Sequence, residues 1–116
     1  MKIKRWILII GLASGGYLLF AGCSGTRSES LRGPLDVSNP RVAHGQQVFM
    51  NKCDKCHPGG EAGLGPALNN KPLPGFLVRF QSRHGMGAMP AFGKDELPQP
   101  DLNDVVDFLK ALRRNS

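Results

Sequence analysis

Cys53-Asp54-Lys55-Cys56-His57 constrains this chain more than any other stretch. Two thiols two residues apart, followed directly by an imidazole, must share one tight turn of backbone. Three chemistries use such a pair. A dithiol redox motif expects a βαβ setting, which is not visible here. Zinc needs two further ligands at a plausible spacing, and only His44, His84 and Cys23 remain, none of them paired. The full C-x-x-C-H pattern is the signature of covalent c-type haem attachment. Each residue then has a task. The thiols of Cys53 and Cys56 add to the two haem vinyl groups as thioethers, and His57 is held under the ring to offer a nitrogen to the iron.

The chain has 116 residues, enough for one small domain, and its beginning does not read as fold. Lys2, Lys4 and Arg5 form a positive start, followed by an apolar run from Trp6 to Phe20. The run is short against the about 20 apolar residues of a membrane span and fits the core of a secretory signal better. An uncleaved anchor is the alternative. Phe20-Ala21-Gly22-Cys23 resembles the lipobox of bacterial lipoproteins, with Phe20 in place of the usual aliphatic residue. The resemblance implies a signal peptide over residues 1–22 and lipidation of Cys23, which would anchor the protein to a membrane without a span. A stray cysteine near a cleavage site is the plainer alternative. In a host with two membranes, Ser24 after the cysteine resembles lipoproteins sent to the outer one. The three cysteines then have an account: one lipid site, two thioethers and none left for a disulfide.

Residues 23–38 are rich in Ser, Gly, Arg and Pro and read as a flexible tether, one that lets a domain range roughly 20 Å from a membrane. The haem domain is expected over residues 39–116. Asn39 caps a first helix and Pro40 suits its first position. Val42, Gly45, Val48 and Phe49 mark the buried face of that helix, which should run to about Asn51. Gly59, Gly60, Gly63 and Gly65 make a loop. A shorter helix is expected over Gly75 to Arg83 with Phe76, Leu77 and Phe80 facing inward, ended by Gly85 and Gly87. Pro90, Pro98 and Pro100 mark Met86 to Pro100 as irregular. In the last helix Asp101 is the expected cap, and Leu102, Val105, Val106, Leu109 and Leu112 form the apolar stripe. Asp101 and Asp104 lie toward its positive end, and Arg113 and Arg114 at its negative end. The fold class is all-α, with three to four helices wrapped around one covalent haem. A domain of about 75 residues buries only a modest core, so the porphyrin is expected to supply the missing apolar centre and the apo chain to fold poorly.

With these pieces in order, the chain resembles monohaem class I cytochrome c over roughly Asn39 to Arg113, made as a bacterial lipoprotein. Gly45 and Phe49 stand where that family has its first-helix glycine and aromatic residue. Gly65-Pro66-Ala67-Leu68 resembles the loop whose proline carbonyl accepts a hydrogen bond from the ligand histidine. Gly85-Met86-Gly87-Ala88-Met89-Pro90-Ala91-Phe92 resembles the loop carrying the second axial ligand, and Asp107 to Leu112 resembles the last helix. The resemblance implies a cofactor site of Cys53, Cys56, His57, Pro66 and Met89, with His57 and Met89 on the iron and Met86 as the alternative methionine. It also implies that the last helix crosses the first at Gly45. Met50 reads as a packing or partly exposed residue, His44 as a surface residue, and His84 as a helix-end or propionate contact. Arg79 and Arg83 read as propionate contacts or solvated surface.

Two strong-field ligands keep iron six-coordinate in both oxidation states, and a neutral thioether raises the potential. The expected function is electron carriage between membrane-bound or periplasmic redox proteins, on the extracytoplasmic side of a membrane, with no catalytic residues and no small-molecule substrate. The alternatives are a haem subunit of a larger oxidoreductase complex and a ligand-binding sensor with a labile methionine. Without Lys2, Lys4 and Arg5, the 15 basic side chains fall to 12 against 9 acidic, a balance of +3 that haem propionates lower further. The basic residues are scattered, so nucleic acid is not an expected partner.

Overall fold

Residues 33–116 are described by a computed structural model. The signal segment, Cys23 and residues 23–32 of the tether lie outside the described residues. Helix α1 spans Pro40–Lys52. Asn39 Oδ1 accepts the Arg41 N–H at 2.9 Å, and Pro40 sits in the first turn, where its missing N–H costs nothing. Helix α2 spans Gly75–His84 and stops at Gly85, whose φ of 70° breaks the helical path. Helix α3 spans Gln99–Arg114. Among the described residues the only other regular element is a 3₁₀ turn over Pro58–Gly60. No strand forms there beyond one isolated bridge between Met86 and Met89. The fold is all-α.

Two expectations about α3 are corrected. Its cap is Pro98, not Asp101, which lies inside the first turn. Pro100 belongs to the helix rather than to the irregular segment before it. A proline is tolerated there because the N–H groups of a first turn have no helical acceptor.

The core lies where α1 meets α3. Val42 and Phe49 from α1 pack with Val105, Phe108, Leu109, Ala111 and Leu112 from α3. The Phe49 and Phe108 rings are tilted at 48° with centroids 5.1 Å apart, within the range of favourable aromatic contacts. The helices approach so closely at Gly45 that a Cβ there would strike the Asp104 carbonyl group. Only glycine permits that distance. Beside the crossing, the Arg41 guanidinium pairs with Asp104 and Asp107, each at 2.9 Å, and His44 Nδ1 lies 2.9 Å from Asp104 Oδ2. Arg113, at the far end of α3, donates to the carbonyls of Leu68 (3.0 Å) and Leu73 (2.8 Å), tying down the long connection between the 3₁₀ turn and α2. A second small cluster of Phe92, Leu97 and Leu102 joins the segment before α3 to the core.

The inward face expected for α2 is also corrected. Phe76 and Phe80 are 63% and 58% exposed. Helix α2 packs on α3 through Val78, which joins the core, and through Gly75, which lies against Val106. The apolar spacing identifies an oily face, but none of the described polypeptide covers it.

Candidate haem site

The attachment motif is a direct outgrowth of α1. Cys53 caps the helix, its N–H donating to Phe49 O at 2.8 Å. The next turn closes as the N–H groups of Cys56 and His57 donate to Cys53 O at 3.1 and 3.0 Å. The two thiols and the imidazole thus leave one turn of backbone, which rests on the packed core at Phe49. Asp54 Oδ1 accepts the Gly59 N–H at 2.7 Å and fastens the following 3₁₀ turn to the motif. Both cysteines are free thiols. Burial, helped by the neighbouring Asp54 carboxylate, pushes the Cys53 thiol up to about 11. That direction is the opposite of the lowered, accessible thiol on which dithiol redox chemistry relies. Among the described residues no three His, Cys, Asp or Glu side chains gather into a metal-binding group.

His57 is buried, and its orientation follows from two neighbours. Its Nδ1 lies 2.8 Å from the Pro66 carbonyl oxygen. A carbonyl only accepts, so Nδ1 carries the hydrogen and Nε2 keeps its lone pair for a metal. The ring also lies on the backbone at Gly65, where a Cβ would collide with it. The Gly65 N–H donates to Cys56 O at 2.8 Å, which returns this loop to the attachment turn. Local backbone bonding therefore places Cys53, Cys56, His57 and Pro66 in one cluster.

Met89 arrives on a separate element. Met86 and Met89 exchange both backbone hydrogen bonds (3.1 and 2.9 Å) around Gly87-Ala88, forming a miniature hairpin after α2. Paired residues of such a bridge project to one side, so both methionines share a face. Met86 is 62% exposed and Met89 is half-buried. His84 turns back on its own helix: Nδ1 donates to Phe80 O at 2.8 Å, and its ring stacks on Phe80 at 4.2 Å. Met50 is half exposed on α1.

These residues fit a covalent haem. The donor set pairs two free thiols with an imidazole whose Nε2 is left open. Leu64, Phe76, Phe80 and Met86 are large apolar side chains that the chain leaves exposed (83%, 63%, 58% and 62%), all from the segments after the motif. A flat apolar cofactor is what such surfaces lack.

Fold and site together define a monohaem class I c-type cytochrome. Residues 40–109 match the family described as cytochrome C oxidase, cbb3-type, subunit III, and the chain belongs to that family. It is also similar to the cytochrome c6 of Alaria esculenta, 30% identical over 83 residues that cover 65% of this chain and 90% of the relative. The cytochrome c6 of Petalonia fascia is 32% identical over 83 residues, 65% of this chain and 91% of the relative. A further relative is the cytochrome c subunit of 4-cresol dehydrogenase [hydroxylating] from Pseudomonas putida, 32% identical over 68 residues, 59% of each chain. No solved structure matches the chain. The cofactor is one haem c, attached covalently through Cys53 and Cys56, and the protein transfers electrons rather than acting as an enzyme.

Proposed function

We propose that this protein is a membrane-tethered shuttle for single electrons, with His57 and Met89 as the two axial ligands of its haem iron, working between respiratory or periplasmic redox proteins. The observation that carries the reading is the fixed His57 ring, with Nδ1 committed to Pro66 O at 2.8 Å and Nε2 left as the only ring donor for iron. When bound, the haem supplies a one-electron iron couple. The chain's part is to hold that couple still. Cys53 and Cys56 retain the cofactor through thioethers at the end of a packed helix. Pro66 and Gly65 fix the imidazole from behind, so the ligand has little to reorganise when the iron changes charge. Met89 would offer the iron a neutral thioether, which favours the ferrous state and competes with external ligands. Phe76, Phe80 and Leu64 lend apolar surface that excludes water from the ring.

The tether and anchor are part of the same proposal. Residues 1–22 act as a secretory signal, Cys23 carries lipid, and residues 23–38 link the lipid to the haem domain. Among the described residues no helix is long and apolar enough to cross a membrane, and a lipid anchor needs none. The protein then works on the extracytoplasmic side, at the outer membrane where the host has one.

Replacing Met89 tests the ligand assignment. Met89→Ala should keep covalent haem and acquire ready carbon monoxide binding in the ferrous state. A variant that binds carbon monoxide no better than wild type moves the assignment to Met86 or His84. Cys23→Ala should release the haem protein from the membrane fraction, whereas full retention points to an uncleaved anchor.

A second reading has its own support. The matched family is described as a subunit of an oxidase, and the Pseudomonas putida relative is named as a subunit of a dehydrogenase. A fixed haem subunit of a larger complex would co-purify with its partner in constant ratio. A shuttle would not.

A further inference from the structure

We propose that Arg83 is a positioning residue for the ligand loop: its guanidinium clamps the segment after Met89 onto α2 and so holds the thioether in place. The inference rests on the reading of Met89 as an axial ligand. Arg83 Nη1 points at three backbone carbonyls of the following segment, those of Leu97 (2.7 Å), Phe92 (3.1 Å) and Gly93 (3.3 Å). Its Nη2 donates to Gln99 Oε1 at 3.1 Å, at the start of α3. The Gln99 amide is itself aimed, because its Nε2 donates to Asn103 Oδ1 at 3.1 Å and so turns the oxygen toward Arg83. One side chain thus joins α2, the ligand loop and α3.

The anchors bracket Met89 closely. On one side the Gly85 N–H donates to Gln81 O at 2.7 Å, and the hairpin bonds of Met86 hold Met89 directly. On the other the Phe92 N–H donates to Ser82 O at 2.8 Å, beside the Arg83 contacts. Only Pro90 and Ala91 separate Met89 from Phe92, and proline removes most of their freedom. A planar fork of N–H donors suits convergent carbonyls far better than an ammonium does. The position is not interchangeable with its neighbour: Arg79, one turn earlier on α2, has no hydrogen bond to this segment. Arg83 therefore acts through the loop that carries Met89.

The test uses the holoprotein and two readouts: the iron–methionine charge-transfer band of the oxidised form during heating, and carbon monoxide binding by the reduced form. Arg83→Met keeps the stem and removes the donors. Its covalent haem and helical circular dichroism should survive, while the band fades well below the temperature of global unfolding. Carbon monoxide binding should strengthen by at least about tenfold, since the closed state loses a whole set of charge-assisted hydrogen bonds and even one of them is worth that much. Arg83→Lys should fall between wild type and Arg83→Met. Gln99→Ala, which takes only the Nη2 partner from Arg83 and leaves its three carbonyl contacts, should shift both readouts in the same direction by less. The proposal is overturned if the band and the helices of Arg83→Met are lost together, or if carbon monoxide binding is unchanged. Should Arg83→Met not fold, an unshifted Gln99→Ala overturns it. Met89→Ala separates the two claims. A band that survives that substitution refutes the ligand reading, whereas its loss beside a wild-type Arg83→Met refutes only the clamp.

Discussion

The crossing of α1 and α3 and the segment from Pro58 to Leu97 are built on opposite terms. At the crossing, polypeptide covers polypeptide: Phe49 is fully buried against Phe108, Gly45 lets the backbones touch, and Arg41 and His44 bond across to Asp104. In the second region the chain keeps its backbone in order with turns, carbonyl clamps and glycines, yet leaves Leu64, Phe76, Phe80 and Met86 exposed. The first region is a self-sufficient helix pair and the second is a frame for something apolar. The attachment turn at Cys53 joins them. It begins as the cap of a helix packed on the core and ends as the edge of the open frame, so the cofactor is anchored where the chain leaves that core.

Removing the cofactor should act most on that contrast. The double variant Cys53→Ala, Cys56→Ala cannot hold haem by thioethers. It is expected to lose its cooperative thermal transition while keeping part of its helical circular dichroism. A sharp transition near the holoprotein's would mean that the exposed face needs no cover. Phe49→Ala attacks the closed region instead. In the holoprotein it should cost about 3–5 kcal/mol of unfolding free energy in a denaturant titration, as large-to-small core changes do. A loss below 1 kcal/mol would show that haem rather than the crossing dominates stability. Gly45→Ala tests the close approach itself and should cost about 1–3 kcal/mol by overpacking, since the atom it meets is backbone and cannot rotate away.

The smallest effect is electrostatic. Hydrogen bonds from Arg41 and His44 hold the Asp104 carboxyl below its ordinary value of 3.8. A carboxyl whose value is lowered on folding stabilises the native state above the unfolded value, and that contribution fades as pH falls through the folded one. Asp104→Asn should therefore be slightly less stable than wild type at pH 7, and the gap should close below about pH 4. A gap that persists at pH 2.5 would make the loss one of packing rather than charge.

The sequence was most legible where a residue's role is decided locally. The Asn39-Pro40 start, the stripe from Leu102 to Leu112 and the glycine at the helix crossing are visible because capping, periodicity and the absence of a side chain act within a turn or two. The face of α2 was legible only in part, because spacing marks Phe76 and Phe80 as apolar without saying what covers them. Asp101 and Pro100 were misplaced for a related reason: a carboxylate is a good cap and a proline a good breaker, but both are also at home in a first helical turn. The role of Arg83 had no local signal at all. Its partners lie 9 to 16 residues further on, and only the folded loop turns their carbonyls toward it.

The central claim is a closed iron site served by His57 and Met89, and absorption spectra of the oxidised and reduced holoprotein test it most directly. The account predicts a low-spin c-type spectrum with the weak iron–methionine charge-transfer band in the oxidised form, and no change when the reduced form meets carbon monoxide. A high-spin spectrum, or a missing band with ready carbon monoxide binding, would contradict it and turn the protein into a ligand-binding haem protein.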